Sequence, residues 1–303
     1  MDIGRLRTLR EVSVRQTMAA AADALFLTPS AVSQQISQLE EELGIQLTER
    51  RGRGIRLTRA GEVLVEHAER VLTVLDEAQS RIAAMKQEVM GELRVAAFPS
   101  IAAALLPHAI QRLGHTHPHL SVVIEEMEPA DGLGALGAWQ VDAAVVDDLS
   151  MRLGGKKQAV DQVPLAEDRL VALLPSGHPL AAKASILVGD LREEGWAIDS
   201  TSSLYGDFVL DLCRRAGFEP KVNARCRSFD MVGAMVASGC SVSVVAGLRL
   251  VRRVEGVAAV RIRPEVRRRI SVAYRRGESQ HPAVRAFVAQ LVNSASEVLG
   301  GSA

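Results

Sequence analysis

The chain has 303 residues, 48% of them hydrophobic, and its 36 basic residues equal its 36 acidic ones. This length suits two or three domains with real hydrophobic cores. Zero net charge provides no overall positive field, which disfavours a general DNA coat. The N-terminal sequence MDIGRLRTLR lacks the apolar core of a signal peptide, and no apolar run approaches the roughly eighteen residues of a membrane span. We therefore expect a cytoplasmic protein without membrane contact.

Two short helices joined by a tight turn are predicted near the N-terminus, between about residues 18 and 37. The stretch MAAAADAL, residues 18–25, reads as an Ala-rich helix that allows close packing. A second helix begins with Thr28 as N-cap and Pro29 at its first position. Its apolar stripe, at about 100° per residue, consists of Val32, Ile36, Leu39 and Leu43. This arrangement is a helix-turn-helix.

The opposite side of the second helix carries hydroxyls and amides, with no charge before Glu40. In a helix-turn-helix this side enters the major groove, where such groups both donate to and accept from base edges. The predicted DNA-contacting residues of this helix are Thr28, Pro29, Ser30, Ser33, Gln34 and Ser37. The alternative is a solvated helix whose polar face has no partner.

A basic hairpin is predicted directly after this helix, over residues 47–57. Gly52 and Gly54 mark its tip, between short strands at 47–50 and 55–57. A basic hairpin in this position is typical of a wing that contacts phosphates or a minor groove. Its candidate DNA contacts are Arg50, Arg51, Arg53 and Arg56. An Arg cluster alone is usually a solvated surface, but its place after the polar helix favours DNA binding.

The segments LTPSAVSQQISQLEEELGIQL and RRGRGIRLTRAGE resemble the N-terminal domain of LysR-type transcriptional regulators, over about residues 5–88. Pattern, order and spacing agree, and the resemblance implies a DNA-binding domain at 1–58. Two positions depart from the family pattern. Thr48 replaces a usual aromatic residue, which we expect to loosen packing beneath the wing. Ser37 replaces a common basic residue, which we expect to change the preferred DNA sequence.

A long helix is predicted from Thr58 to about Gln87, within a linker at 59–90. Apolar positions alternate at spacings of four and three, a heptad pattern that favours pairing with a second helix. The predicted dimerisation residues are Leu64, Ala68, Val71, Leu75, Ala78 and Ile82, with Met85 beyond them. The resemblance implies a homodimer, further paired into a tetramer, that binds duplex DNA with inverted half-sites. The alternative is a helix packed on its own domain.

From Gly91 the pattern changes to alternating strands and helices, which predicts α/β units around a mostly parallel sheet. The resemblance implies an effector-binding domain at 91–303 with two lobes, like those of periplasmic binding proteins. Lobe I is expected at 91–161 and 264–303, and lobe II at 162–263. The crossovers are expected near 161–167 and 260–264. The predicted fold class is thus α/β multidomain, with a winged helix-turn-helix, a linker helix and two α/β lobes.

Ligands of such folds bind beyond the carboxyl ends of strands, where helix N-termini offer free amides. The predicted effector-binding residues are Ser100, Ile101, Ser200, Thr201, Ser202, Phe229 and Asp230. Hydroxyls and free amides favour a small polar metabolite that bears a carboxylate. The alternative is ordinary N-capping, which Ser and Thr perform in most helices.

Catalytic motifs such as GxSxG, HExxH and a Walker loop are missing from the sequence, so we expect no enzyme and no cofactor. The three cysteines do not have the spacing of metal ligands and are expected to be inert thiols. His115, His117 and His119 could bind a metal from one face of a strand, but Pro118 favours a loop at this position. The Arg-rich run 249–276 is expected to be a solvated edge rather than a second DNA contact.

The predicted function is sequence-specific transcription regulation in response to an effector, with RNA polymerase as a further expected partner. The alternative is an architectural DNA-binding protein without an effector. The abundance of Arg over Lys favours a bacterial source. Effector, target genes and the direction of regulation do not follow from the sequence.

Overall fold

The computed structural model of the chain describes residues 1–52, 54–85, 89–150, 160–199, 203–251 and 253–300, without the side chains of 203 and 298–300. An N-terminal unit packs three helices against a hairpin. Its elements are α1 Ile3–Arg15, α2 Met18–Leu25, α3 Pro29–Leu43, β1 Thr48–Arg51 and β2 Gly54–Leu57. The hydroxyl of Thr17 accepts from the amide of Ala20 at 3.1 Å and begins α2. Helix α1, which the sequence patterns did not predict, packs its Leu9 and Val12 into the core of this unit.

The linker helix α4, Arg59–Met85, has two apolar faces. One face packs on its own winged-helix unit and on the α/β region, through Val65, Ala68 and Leu72. The other face is exposed at Val63, Val71, Val74, Ile82 and Met85. The predicted dimerisation seam was therefore wrong at Ala68, which is 1% exposed in the single chain. A heptad pattern repeats every 3.5 residues and an α-helix every 3.6 residues, so over the length of α4 the two periods differ little. The apolar pattern alone therefore does not tell a dimer-forming face from a face packed on the same chain.

The α/β region contains ten strands and the remaining helices among the described residues. The first group is β3 Gly91–Ala97, α5 Pro99–Ala104, α6 Leu106–Thr116, β4 Leu120–Glu126, α7 Pro129–Gly137, β5 Ala143–Asp147 and β6 Val160–Pro175. The second is β7 Ser185–Leu187, β8 Gly195–Asp199, α8 Ser203–Arg215, β9 Lys221–Cys226, α9 Phe229–Ala237, β10 Ser243–Ala246, β11 Val257–Arg263, β12 Arg267–Arg275 and α10 Pro282–Gly300. His115 lies in α6 and His119 outside it, so the three histidines do not share a strand face.

Strand β6 passes through both lobes. Its first part, from Val160, pairs with β12, and its last part, to Pro175, pairs with β10 and β11. The sheet order β4-β3-β5-β12-β6-β11-β7 therefore runs from lobe I into lobe II. The first expected crossover, near 161–167, lies within the continuous strand β6. The second, expected near 260–264, compares with a connection between the end of β11 at Arg263 and the start of β12 at Arg267.

Each lobe has its own hydrophobic core. In lobe I, Phe98 and Leu105 pack with Phe287 of α10. In lobe II, Trp196 packs with Ile198 and Val260. No helix among the described residues is both long enough and apolar enough to span a lipid bilayer. The two cores leave a cleft between the lobes, beside β6 and β12.

Candidate DNA-binding surface and effector cleft

Helix α3 has the polar face that the sequence predicted. Val32, Ile36 and Leu39 are buried at 1% exposure or less. The predicted contact residues are solvent-exposed, namely Thr28, Pro29, Ser30, Ser33, Gln34 and Ser37. The Thr28 hydroxyl accepts from the Ala31 amide at 3.2 Å, so it caps the helix. Short hydroxyl and amide groups are thus presented together at the N-terminal end of α3.

The wing is attached to α3 by one carboxylate. Glu40 Oε1 accepts from the Leu47 amide at 2.8 Å, and from the amide and the hydroxyl of Thr48 at 3.0 and 3.2 Å. Thr48 therefore makes two polar contacts at the base of the wing. These contacts offset the looser packing that was expected where an aromatic side chain is missing. Glu49 lies opposite Arg56 in the hairpin.

The basic side chains of the wing point outward. Arg50, Arg51 and Arg56 are exposed. Gly52 at the tip has a φ of +57°, a conformation that favours glycine. Arg53 lies outside the described residues. The exposed guanidiniums of the wing and the polar face of α3 together offer phosphate contacts and base-edge contacts.

A narrow, partly open cavity lies between the lobes. Several strands end at it: Phe98 and Ser100 follow β3, Asp147 ends β5, and Asp199 ends β8. Tyr205 of α8 and Val245 and Ala246 of β10 complete much of the opposite wall. This is the position in which open α/β folds bind ligands.

Arg268 of β12 is the centre of the polar network in the cleft. Its side chain is 4% exposed, and its Nε donates to Asp168 Oδ2 at 2.9 Å while its Nη2 donates to Ser100 Oγ at 2.6 Å. Asp147 lies 3.7 Å from the same guanidinium, which stacks 5.0 Å from the Phe98 ring centroid. Burial raises the pKa of Asp168, while the charge of Arg268 opposes that rise.

A second guanidinium belongs to lobe II. Arg249 Nη2 donates to Asp199 Oδ2 at 3.2 Å, and the guanidinium lies 5.5 Å from the Phe229 ring centroid. Burial raises the pKa of Tyr205, so its phenol stays protonated at neutral pH. Phe229 and Arg249 also line a wider outer cavity, together with Arg227 and Asp230.

The structure brings together only part of the predicted effector site. Ser100 and Phe229 line the inner cavity, and Asp230 lines the outer one. The prediction that Ile101 contacts the effector was wrong. Its side chain is fully buried in the lobe I core, and its amide donates to the Phe98 carbonyl at 3.1 Å. Because α5 has six residues and starts at Pro99, it offers few free amides, which weakens the predicted anion cradle. Ser200, Thr201 and Ser202 lie outside the described residues.

Arg268 was missed by the sequence reasoning, although a signal was present. In β12 the burial alternates, so that Arg268 faces inward with Ile270 and Val272 while Arg267 and Arg269 face outward. A two-residue strand period would have assigned Arg268 to the buried face. The partners of this guanidinium are distant in sequence, so no local pattern identifies them.

The Arg-rich run 249–276 is largely paired with carboxylates. Arg267 pairs with Glu167 at 3.0 Å and Arg269 with Asp148 at 2.9 Å, both on the exposed edge. Arg268 and Arg275 are buried. This distribution favours the predicted solvated edge over a second DNA contact, but it adds two structural arginines that the prediction did not distinguish.

Comparison with known proteins agrees with both halves of the structure. Residues 3–62 match the bacterial regulatory helix-turn-helix protein family of lysR type, and residues 86–296 match the LysR substrate binding domain. The chain belongs to the LysR family. It is therefore a LysR-type DNA-binding transcriptional regulator, with an N-terminal helix-turn-helix and a two-lobed α/β domain.

Similar proteins include other regulators of this family. The chain is 28% identical over 280 residues to the DNA-binding transcriptional dual regulator OxyR of Escherichia coli (strain K12), covering 91% of this chain and 90% of the relative. Identity and coverage are the same for a hydrogen peroxide-inducible genes activator of Escherichia coli O6:H1. A structure of full-length CbnR with its target DNA is similar at a TM-score of 0.55 and 26% identity, over 97% of this chain and all of that chain.

Proposed function

We propose that this LysR-type regulator binds duplex DNA as a homodimer, with α3 in the major groove and the wing on the neighbouring backbone. The exposed hydroxyl and amide face of α3, beside the outward arginines of the wing, carries this proposal. Two copies related by a twofold axis would read inverted half-sites. This role places the protein in the cytoplasm and requires no catalytic group or cofactor.

The exposed face of α4 supports the dimer. Its side chains are apolar at Val71, Val74, Ile82 and Met85, although each is 44% exposed or more in the single chain. Pairing with a second α4 would remove this apolar surface from water. We accordingly propose three units: a DNA-binding domain at 1–58, a dimerisation helix at 59–90 and an effector-binding domain at 91–303. Leu75 and Ala78 border the same face, whereas Leu64 packs partly into the winged-helix core. A tetramer would pair two such dimers.

We infer that a small polar effector binds in the cleft between the lobes. The cavity touches both lobes, and Arg268 connects them by contacting Ser100 on one side and Asp168 on β6. A ligand there would favour one lobe arrangement by its differential affinity for the two. Both guanidiniums of the inner cavity already pair with aspartates, so a carboxylate effector would have to share Arg268 or Arg249 with them.

Thiol oxidation is not supported as the signal, although relatives are named hydrogen peroxide-inducible activators. The reactive form of cysteine is the thiolate. Cys213 is fully buried, and burial raises its pKa to about 12. Cys226 is also buried, and its pKa is raised for the same reason. Both thiols stay protonated at neutral pH, and the exposed Cys240 has no second exposed cysteine to pair with in the chain, so we propose a bound effector rather than an oxidised cysteine pair.

Thermal-shift screening tests the effector site. Organic acids, amino acids and neutral polyols are screened against the wild type and Ser100→Ala, because a ligand specific to the folded state raises the melting temperature. Ser121→Ala, at an exposed position of β4, is the control. A compound that stabilises wild type and control but not Ser100→Ala supports the cleft. Equal stabilisation of all three places the site elsewhere.

Footprinting distinguishes this regulator from an effector-independent architectural protein. DNA flanking its own gene is probed with and without the screened compound. One protected region that changes with the compound supports the proposal. Uniform coating of the DNA, unchanged by every compound, supports the architectural role instead.

A further inference from the structure

We propose that lobe I carries a docking surface for the winged-helix unit of the same chain, built on Trp139 and Arg275. We further propose that β5 and β12 connect this surface to the effector cleft. The docking surface does not depend on the proposed function. Its connection to the cleft does, because that part assumes an effector between the lobes.

Trp139 lies where three parts of the chain meet. It follows α7 in lobe I, and its indole Nε1 donates to Asp76 Oδ1 of the linker helix at 3.3 Å. The guanidinium of Arg7, from α1, stacks 4.5 Å from its ring centroid, and that of Arg10 lies at 5.6 Å. Such contacts are attractive, and more so where water is excluded. Trp139 has a φ of +59°, a conformation that bulky residues adopt only where their surroundings hold them.

Arg275 lies against the same ring, at 5.7 Å from its centroid. Its side chain is 8% exposed and donates to Glu278 at 2.7 Å and to Asp142 at 3.2 Å, and Asp76 lies 3.7 Å away. Two lobe I carboxylates, Asp142 and Glu278, thus contact this guanidinium, and Asp76 reaches it from α4. On the facing helix α1, the three guanidiniums of Arg7, Arg10 and Arg15 outnumber the one carboxylate of Glu11. The two sides of the interface are therefore complementary in charge.

Glycines permit the close approach of the two units. A Cβ on Gly137 would come within 2.8 Å of the Arg10 guanidinium, and one on Gly134 within 2.8 Å of that of Arg15. Arg10 Nη1 in turn donates to the Gly137 carbonyl. A Cβ on Gly277 would come within 2.8 Å of the Thr73 carbonyl of α4. The neighbours of Gly134 and Gly137 are the ends of long side chains, whereas Gly277 faces backbone that cannot move aside, so this glycine is the one that requires close packing of lobe I on α4.

The same strands reach the cleft. Strand β12 begins near Arg268 in the cleft and ends at Arg275 in the docking surface. At about 3.3 Å per residue the two guanidiniums are separated by roughly 23 Å of one strand. Strand β5 lies antiparallel beside it and ends at Asp147 in the cleft. A rearrangement around Arg268 therefore acts on the strand that holds the winged-helix unit.

Hydrogen exchange on the full-length protein tests the docking surface. Arg7→Ala removes the guanidinium nearest the Trp139 ring, whereas Arg5→Ala removes a guanidinium on the same helix that pairs with Glu42 inside the winged-helix unit. We expect Arg7→Ala to speed exchange in lobe I residues 137–142 about tenfold, and Arg5→Ala to leave it unchanged. Equal effects of both variants overturn the docking surface. Trp139→Ala should reciprocally speed exchange in α1. If Trp139→Ala does not fold, the comparison of Arg7→Ala with Arg5→Ala still decides the test.

Footprints of the same variants, taken with and without the compound found by thermal-shift screening, test the connection to the cleft. Arg7→Ala should keep protection of each half-site but lose the compound-dependent change in cleavage between the half-sites, whereas Arg5→Ala should match the wild type. If exchange rises but the compound-dependent change is retained, the connection is overturned and the docking surface stands. If the wild type gives no specific footprint, the proposed function fails while the exchange result still decides the docking surface.

Discussion

Replacing Arg268 with alanine should be strongly destabilising, because it leaves Asp168 and Asp147 buried without their cation. Both carboxylates are 3% exposed, and Arg268 is their shared guanidinium at 2.7 and 3.7 Å. Removing one partner of a buried ion pair costs about 3–5 kcal/mol. Urea unfolding followed by circular dichroism at pH 7 measures this loss as a lower free energy of unfolding.

The adjacent residue supplies the control. The side chain of Arg267 is 44% exposed and pairs with Glu167 at 3.0 Å, an exposed pair worth about 0–1 kcal/mol. Arg267→Ala should therefore change the free energy of unfolding by about 1 kcal/mol or less. A loss for Arg268→Ala no larger than that for Arg267→Ala, at an unchanged urea slope, would refute the assigned role of Arg268. The double substitution Asp168→Asn with Arg268→Met should be milder than Arg268→Ala, since it leaves one buried carboxylate without its cation, Asp147, instead of two.

Three further outcomes are expected. Burial raises the pKa of Glu278 to about 7, so the folded state holds this proton more tightly than the unfolded chain does. The free energy of unfolding therefore falls as pH rises from about 5 to 8. Glu278→Gln should therefore raise the free energy of unfolding at pH 8 by up to roughly 3 kcal/mol and leave it unchanged below pH 4, as urea titrations would show. Val74→Glu puts a charge into the proposed dimer face and should give monomers in light scattering, whereas Gln79→Glu, an exposed change of equal charge, should not. Hydrogen peroxide should leave the footprint of the wild type unchanged, and any change that Cys240→Ser abolishes would contradict the proposed bound effector.

The DNA-binding half was largely predictable because its signals are local. The Thr28 cap, Pro29 and the 3.6-residue apolar period each act within a few residues, and the structure shows α3 where they indicate. Local polar contacts still escaped notice, as with the bonds from Leu47 and Thr48 to Glu40.

The effector half was predictable only in outline. Alternation of strands and helices indicated the α/β lobes, but the cleft depends on contacts such as Ser100 with Arg268, 168 residues apart. No periodicity encodes such a pair in a single sequence. The prediction of Ala68 as a dimerisation residue was wrong for a related reason. Both faces of α4 are apolar, and only the folded chain shows which face is covered.

Parallel binding titrations of Gln34→Ala and Arg51→Ala test whether α3 reads the DNA sequence. Each variant is measured at several salt concentrations on the footprinted site and on random DNA of equal length. Gln34→Ala should cost about 1–3 kcal/mol on the specific site and little on random DNA. Arg51→Ala should weaken both alike and reduce the salt slope by about one. Equal losses on both DNAs for Gln34→Ala would contradict the assignment of α3 as the reading helix.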